Sequence, residues 1–535
     1  MEVTGMGQYV NPGNDSFASA VLYSKIYVDK TGMLEYLNQV INSEQRYVCV
    51  SRPRRFGKSI AARMIAAYYC RNCDSAELFA GYNIAKEKDF RQHLNQYNVI
   101  QVDIAELRVT MPKGEDFVSY LQKCIISELR DIYPEIVGEK EYSLPLALAN
   151  INEKNGERFV IIIDEWDTIF REEKYNKKSQ DEYIDLLRGL FKGEKSQRFM
   201  NLAYLTGILP IKRYNSESAL NNFREYTMTS PKRLAEYVGF TQEEVKDLCG
   251  KYHMDFDEAQ RWYDGYGFKG LDHVYCPNSV ANAMLDGEYN NYWTGTVAYE
   301  SLKYYITIDR DGLKEAIVRL LSGERCKVNV ETFENDMTKI GSKDDVLTIL
   351  IHLGYLGYDA GSEEAYIPNE EVRKAFGRAV EGTDWSPVIE AMKASDRLLQ
   401  ATWNLEADIV ASAIEHSHME NASILKYNDE NTLRCVVRLA YYNAMNEYTI
   451  IDEMPAGKGY ADLTFIPRPC SDKPAMIVEL KYNKSAEGAI GQIKRRQYMK
   501  SLEAYKGTIL LIGVNYDKND RDKRYTCAIE QYIKE

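Results

Sequence analysis

The sequence predicts an α/β protein: a phosphate-binding-loop (P-loop) parallel sheet with helices on both faces, a helical, winged-helix-like middle region, and a smaller α/β domain at the C-terminus. Three observations predict it. Val48–Val50 is a short apolar strand that runs into the loop Ser51-Arg52-Pro53-Arg54-Arg55-Phe56-Gly57-Lys58-Ser59, and the Ala-rich run Ile60–Tyr69 follows at helical spacing. Phe159–Ile163 is an unbroken apolar run ending in Asp164-Glu165, the pattern of a buried parallel strand with carboxylates at its C-terminal end. Beyond residue 426 the order is helix, three strands, helix, strand.

Length and composition set the frame. A chain of 535 residues is too long for one core, so about two to four domains are expected. The divisions read from the sequence are 1–227, 228–384, 385–425 as a helical connector, and 426–535. Hydrophobic residues make up 45% and charged residues 27%, an ordinary globular balance. A net charge of −13 excludes a chain coated in nucleic-acid-binding charge, although a local basic groove needs only a local patch. The N-terminal segment lacks a basic stretch followed by an apolar run, and no apolar run is long enough to span a bilayer. A cytoplasmic protein with no membrane partner is therefore expected. The ten cysteines are scattered. Cys70 and Cys73 form a CxxC with no second pair to complete a zinc set, so reduced structural thiols are expected.

The glycine-lysine-serine at the mouth of a helix has the shape of a phosphate-binding loop. Its backbone N–H groups face phosphates, Lys58 reaches their outer oxygens, and the Ser59 hydroxyl can hold Mg²⁺. The nucleotide-binding candidates are Arg54, Arg55, Phe56, Gly57, Lys58 and Ser59. One position departs from the pattern: Arg52 stands where glycine is usual. Pro53 biases Arg52 to an extended backbone, so a wide, stiff mouth to the loop is expected. Ligands of open α/β sheets bind outside the C-terminal ends of the strands. Asp164 is thereby placed for the Mg²⁺ shell, and Glu165 to polarise a water attacking the γ-phosphate. Thr206 ends the strand Asn201–Gly207 and is the candidate γ-phosphate sensor. Arg54, Arg55, Lys212 and Arg213 supply positive charge either to a transition state or to solvent. Upstream, Asp29 is expected to cap a helix over 32–42, with Tyr27 and Val28 either core residues or neighbours of an adenine.

In the middle region Thr241 and Glu244 have capping-box spacing. Trp262-Tyr263-Asp264-Gly265-Tyr266 reads as a packed aromatic turn. A helix over 344–353, a hairpin over 354–367 and a helix over 370–380 suggest a winged-helix-like unit whose acidic charge favours a lid over phosphate contact. In the last domain Asp462 and Glu479-x-Lys481 lie on adjacent strands. Residues two apart in a strand share a face, so Glu479 and Lys481 point together. Two carboxylates that hold Mg²⁺ and a lysine that orients water make a metal-nuclease set; a cross-strand ion pair is the plainer alternative. Lys494, Arg495 and Arg496 add positive charge on the helix that follows.

The Arg52–Ser59 loop, Tyr27-Val28-Asp29-Lys30-Thr31, the Asp164-Glu165 strand, Leu205-Thr206-Gly207-Ile208-Leu209, Trp262–Tyr266 and Ile367-Pro368-Asn369-Glu370-Glu371-Val372 together resemble the AAA-ATPase-like family. Members of that family often carry a C-terminal PD-(D/E)XK nuclease-like domain, and the resemblance covers most of the chain. It implies a P-loop ATPase fold followed by a restriction-endonuclease-like fold, and Arg-Pro-Arg-Arg-Phe-Gly-Lys-Ser is the family's usual loop. It also implies that Glu430, Asp462, Glu479, Lys481 and Gln492 form the nuclease site, with Asp462 and Glu479 on the metal. Tyr460 stands where the family usually has Arg, and Ala461 where the motif has Pro. The expected function is ATP·Mg²⁺ binding and hydrolysis coupled to metal-dependent cleavage of DNA, with oligomerisation left open. The alternative is an ATP-dependent switch or scaffold whose C-terminal domain binds nucleic acid or protein without cutting. A third reading is a nucleotide-binding regulator that does not hydrolyse.

Overall fold

The structure is a computed structural model that describes residues 7–173, 176–211, 213–214, 217–218, 220–293, 296–308, 310–334, 339–383, 385–421, 430–468, 471–502, 505–520 and 524–532. The chain forms two compact units, residues 1–295 with 327–372 and residues 296–326 with 373–535.

The first unit is built on a five-stranded sheet. Its strands are β1 (Tyr47–Ser51), β2 (Asn98–Asp103), β3 (Phe159–Asp164), β4 (Met200–Gly207) and β5 (Arg224–Tyr226), in the order β2-β3-β4-β1-β5. Every pairing is parallel. β1, β3 and β4 are buried along their whole length, which is why they read as apolar runs without alternation. The register brings their C-terminal ends level, with Ser51 beside Gly207 and Ile163 beside Leu205. Helix α1 (Lys58–Tyr69) follows β1. The helices Phe117–Ile132, Leu144–Asn155 and Lys177–Phe191 cover one face of the sheet and share its core. β5 is too short and too charged to read as a strand; β1 pairs with it from Val48 to Val50.

The later part of this unit is helical. Thr241 caps the helix Gln242–Tyr252 with the full capping box to Glu244, as their spacing predicts. The aromatic turn is packed. A Cβ at Gly265 would lie 2.1 Å from the Pro368 carbonyl oxygen, and its φ is +105°. Tyr266 Oη donates to the Gly354 carbonyl at 2.7 Å, and Asn369 Nδ2 to the Asp264 carbonyl at 2.7 Å. Helix Lys343–Leu353 and the antiparallel hairpin β6 (Gly357–Asp359) and β7 (Glu364–Tyr366) follow in the order expected; of the next helix, Glu370–Glu381, only Glu370, Glu371 and Val372 fall in this unit.

The second unit carries the helices Ser386–Trp403, Ala407–Asn421 and α2 (Glu430–Ala440), then a five-stranded mixed sheet. Its strands, in spatial order, are β8 (Tyr448–Ala456), β9 (Gly459–Pro467), β10 (Ala475–Tyr482), β11 (Ile509–Tyr516) and β12 (Tyr525–Tyr532). β10 and β11 run parallel, and the other neighbours antiparallel. The crossover that two parallel strands require is supplied by α3 (Ala486–Arg496), whose Ile490 and Ile493 share a core with Ile477 and Leu511. β12 is the strand that the sequence pattern hides, because an edge strand half in solvent has no continuous apolar run. Among the described residues no helix is long and apolar enough to cross a membrane.

Candidate functional site

In the first unit the loop after β1 turns through two left-handed residues, Arg55 (φ +67°) and Gly57 (φ +90°), before α1 begins. Arg52, the departure from glycine, is fully buried. Its guanidinium donates to the Ser51 carbonyl at 2.9 Å and the Tyr226 carbonyl at 3.1 Å, and lies over the Phe268 ring. Burial lowers its pKa to about 10. Arg52 therefore pins the mouth of the loop to the end of β5. Phe56 is turned inward, edge-on to Tyr266, leaving its backbone for the loop's interior. Lys58 Nζ donates to the Pro53 carbonyl at 2.9 Å and lies 3.5 Å from Glu165 Oε1.

The two acids at the end of β3 differ. Burial pushes the Asp164 carboxyl up to about 6, although the Ser59 hydroxyl bonds its charged form. Burial also acts upward on Glu165, but the charges of Lys58, Arg171 and Arg54 outweigh it and hold this carboxyl below its usual range. Glu165 has φ +51°, and its side chain accepts from Arg171. Arg171 also donates to Asp167 Oδ2 at 3.0 Å, and that oxygen accepts the Ile208 and Leu209 amides. Asp167 and Arg171, at helical i,i+4 spacing after the two acids, thus tie Glu165 to the chain beyond β4. That spacing is visible in the sequence but common enough to pass unnoticed. Thr206 Oγ1 is buried without a hydrogen-bond partner among the described residues, and Thr206 is not among the residues that line the cavity over the loop.

A cavity of about 580 Å³ lies over the loop. Lys58, Ser59, Arg54, Glu165 and Arg171 line its polar part, while Ile26, Tyr27, Val28, Met64, Phe240 and Pro277 line its apolar part. Asp29 accepts the Thr31 amide at 2.8 Å, so it shapes the turn into helix Gly32–Val40. Arg55 reaches another way: its guanidinium donates to the carbonyls of Tyr292 and Trp293. The amides of those same residues go to Glu371 Oε1, at 2.6 and 2.8 Å, and Ser279 Oγ donates to Glu371 Oε2 at 2.8 Å. Glu371 is 1% exposed, and burial raises its pKa to about 7. Lys212 lies outside the described residues, as does the side chain of Arg213.

In the second unit, Glu479 is buried on β10. Its Oε1 accepts from Lys481 Nζ at 2.6 Å and from Gln492 Nε2. Its Oε2 is buried without a donor among the described residues. Burial raises the Glu479 pKa against the bond from Lys481, and the charge of Asp462 raises it further. Asp462 Oδ2 accepts the Leu480 amide at 2.7 Å, which joins β9 to β10 beside Glu479. Gln492 comes from α3 and also contacts Tyr498 Oη at 3.3 Å. Tyr460 is largely exposed. Glu430 is the first residue of α2, and its side chain lies outside the described part. Among the described residues no cluster of three His, Cys, Asp or Glu side chains forms a metal site. The Asp462–Glu479 pair nevertheless suits a hard divalent cation: two carboxylates, with one buried oxygen that nothing else satisfies.

Residues 12–215 match the family model described as a predicted AAA-ATPase, and residues 428–525 match that of the PD-(D/E)XK nuclease superfamily. A curated relative from Azotobacter chroococcum mcd 1, an uncharacterized protein in the vnfD 5' region, is 28% identical over 288 residues, which are 51% of this chain and 51% of the relative. The chain thus spans about half the length of that relative. Among solved structures, the Aeropyrum pernix ORC2 protein aligns with a TM-score of 0.32 at 11% identity, over 67% of this chain and 97% of that one. PCH-2 of C. elegans aligns with a TM-score of 0.21 at 11% identity, over 55% of this chain and 68% of that one.

Proposed function

We propose, for a chain whose residues 12–215 belong to the predicted AAA-ATPase family and whose residues 428–525 belong to the PD-(D/E)XK nuclease superfamily, that the first unit binds and hydrolyses ATP and the second cuts DNA. The observation that carries the reading is the cavity over the loop, polar at the lysine and apolar beyond it, as a nucleotide requires. Lys58 leaves the Pro53 carbonyl for the β- and γ-phosphates. Ser59 and Asp164 face the Mg²⁺ that travels with ATP. Glu165, held ionised by Lys58, Arg54 and Arg171, accepts a hydrogen bond from the attacking water as its oxygen bonds to the γ-phosphorus and the bond to the ADP oxygen breaks. Thr206 Oγ1, buried without a partner among the described residues at the C-terminal end of β4, is the γ-phosphate sensor of this reading. The apolar wall of Ile26, Val28 and Phe240 takes the base.

The nuclease half rests on Glu479 Oε2 and its neighbours. Asp462 and Glu479 would hold Mg²⁺ or Mn²⁺, which supplies a Lewis acid for the phosphate oxygen and a more acidic water. Gln492 orients Glu479 by its bond to Oε1. Lys481, swung from Glu479, neutralises charge developing on the phosphate. Coupling has a physical route. Arg55 grips Tyr292 and Trp293 while Glu371 holds their amides. The chain leaves this unit just after each of these points, following residues 295 and 372. Phosphates that draw Arg55 to themselves would loosen both.

The test is separability. Lys58→Ala is expected to abolish ATP hydrolysis, and Asp462→Ala and Lys481→Ala to abolish cleavage while sparing hydrolysis. Loss of both activities in each variant, or of neither, contradicts the assignment. Cleavage by Lys58→Ala that is the same with and without ATP, and equal to the wild type's with ATP, contradicts the coupling.

A further inference from the structure

Helix α3 ends in Lys494-Arg495-Arg496, and the three cations have different surroundings. Lys494 Nζ is paired with Glu530 on β12. The Arg495 guanidinium lies back along its own helix, 3.2 Å from where a Cβ at Gly491 would stand. Arg496 reaches the other way, over the turn that joins β8 to β9. Its Nη1 is 2.8 Å from the position of a Cβ at Gly459, and its carbonyl oxygen accepts the Lys458 amide at 2.8 Å. A side chain at Gly457 would lie 2.1 Å from that carbonyl oxygen. The Gly457-Lys458-Gly459 turn is therefore moulded on the end of α3, and the bare Gly459 leaves the space that the guanidinium fills.

From that space the contacts run directly into the carboxylate cluster. Tyr498 Oη is 3.1 Å from the same Cβ position. It bonds Gln492, which bonds Glu479, which bonds Lys481. Arg496 is exposed and forms no ion pair with a carboxylate among the described residues, while its charge reaches Glu479 and favours the ionised form there. A planar, permanently charged fork with free donors beside a phosphoryl-transfer site fits a phosphate diester better than it fits any other ligand.

We propose that Arg496 is a phosphate-binding residue of the second unit: it holds a backbone phosphate of the nucleic acid next to the one that is cut. This rests on the nuclease reading of Asp462, Glu479 and Lys481. It is a positioning role, and of the basic triplet only Arg496 has it. The glycine at 459 is part of the device, because a methyl group there displaces the guanidinium.

The experiment measures binding of a fluorescein-labelled DNA oligonucleotide, single-stranded and duplex, to the full chain carrying Lys481→Ala, across a salt series. Arg496→Ala is expected to weaken binding about tenfold and to lower the slope of log K against log salt by about one counterion. Arg496→Lys keeps the slope, and Lys494→Ala changes neither quantity. Gly459→Ala reproduces Arg496→Ala, and the double variant adds nothing further. Unchanged affinity and slope in Arg496→Ala overturn the proposal, as does an equal loss in Lys494→Ala. A fall in melting temperature for Arg496→Ala with DNA affinity intact also overturns it, since that is the signature of a helix-capping residue alone. If the wild type binds the oligonucleotide but never cleaves it, the nuclease reading falls and with it the place of the held phosphate beside a cut one, while the Arg496 comparison still decides whether Arg496 binds phosphate. If it binds neither form, both fall.

Discussion

Replacing Glu371 with glutamine tests whether burial shifts the titration of the carboxylate that holds the Tyr292 and Trp293 amides. The swap keeps the shape. Glu371 Oε1 accepts both the Tyr292 and the Trp293 amide, and an amide oxygen can do the same. Oε2 accepts from Ser279, whose hydroxyl can turn to accept from the new NH₂ group instead. What changes is titration. Burial carries the Glu371 pKa from 4.5 to about 7, so the folded state binds this proton more tightly by roughly 3 kcal/mol. Between those two values the folded protein holds a proton that the unfolded chain has released. The proton's contribution is therefore full below 4.5, is lost as pH rises through that window, and is gone above about 7. At about 2 °C per kcal/mol for a large domain, the wild type should lose about 5 °C in melting temperature relative to Glu371→Gln between pH 5 and pH 8. Asp164 and the other titrating groups are common to both proteins, so the difference isolates Glu371. Calorimetry over that range is the assay. Parallel melting curves would refute the reasoning, because they would mean that Glu371 titrates alike in both states.

Thr206→Val removes a hydroxyl that has no partner among the described residues, so the nucleotide-free protein should melt unchanged or up to about 1 kcal/mol more stable, while phosphate release from ATP falls at least about tenfold. A clear loss of stability would show that the hydroxyl is structural. Gly265→Ala sets a methyl group against the Pro368 carbonyl at a left-handed φ and should cost about 2–4 kcal/mol in denaturant unfolding of the first unit. A loss below about 1 kcal/mol would mean that the aromatic turn is loosely packed.

The parts of the fold that read clearly from the sequence are those where one residue pattern has one structural solution. The apolar run ending at Asp164 can only be a buried strand, and glycine before lysine and serine announces the loop. Thr241 and Glu244 mark a helix start because each needs the other. What stayed hidden depends on distant partners. β5 has the residues of a loop and is a strand because β1 pairs with it and Arg52 bonds the carbonyl of Tyr226. The sequence marks Arg52 only as an absent glycine; its role lies in the cavity it fills between β5 and Phe268. Arg55 and Glu371 are far apart in the chain, and nothing local says that they hold the carbonyls and the amides of the same two residues, Tyr292 and Trp293. In the second unit, Glu479 and Lys481 share a face by strand geometry alone, whereas the approach of Gln492 depends on how α3 crosses the sheet. The helix that opens at Glu430 ends at Ala440, where Tyr441 and Tyr442 turn into the core, and no local signal in the sequence marks that end.

The central claim is that one chain holds an ATP site and a separate metal-dependent nuclease site. Its second half can be tested at the atoms concerned, by anomalous scattering from a crystal of the full chain soaked in Mn²⁺. A peak in contact with Asp462 and with Glu479 Oε2, lost in Asp462→Ala, is expected. An Asp462–Glu479 pair that stays free of metal at saturating Mn²⁺ would contradict the claim.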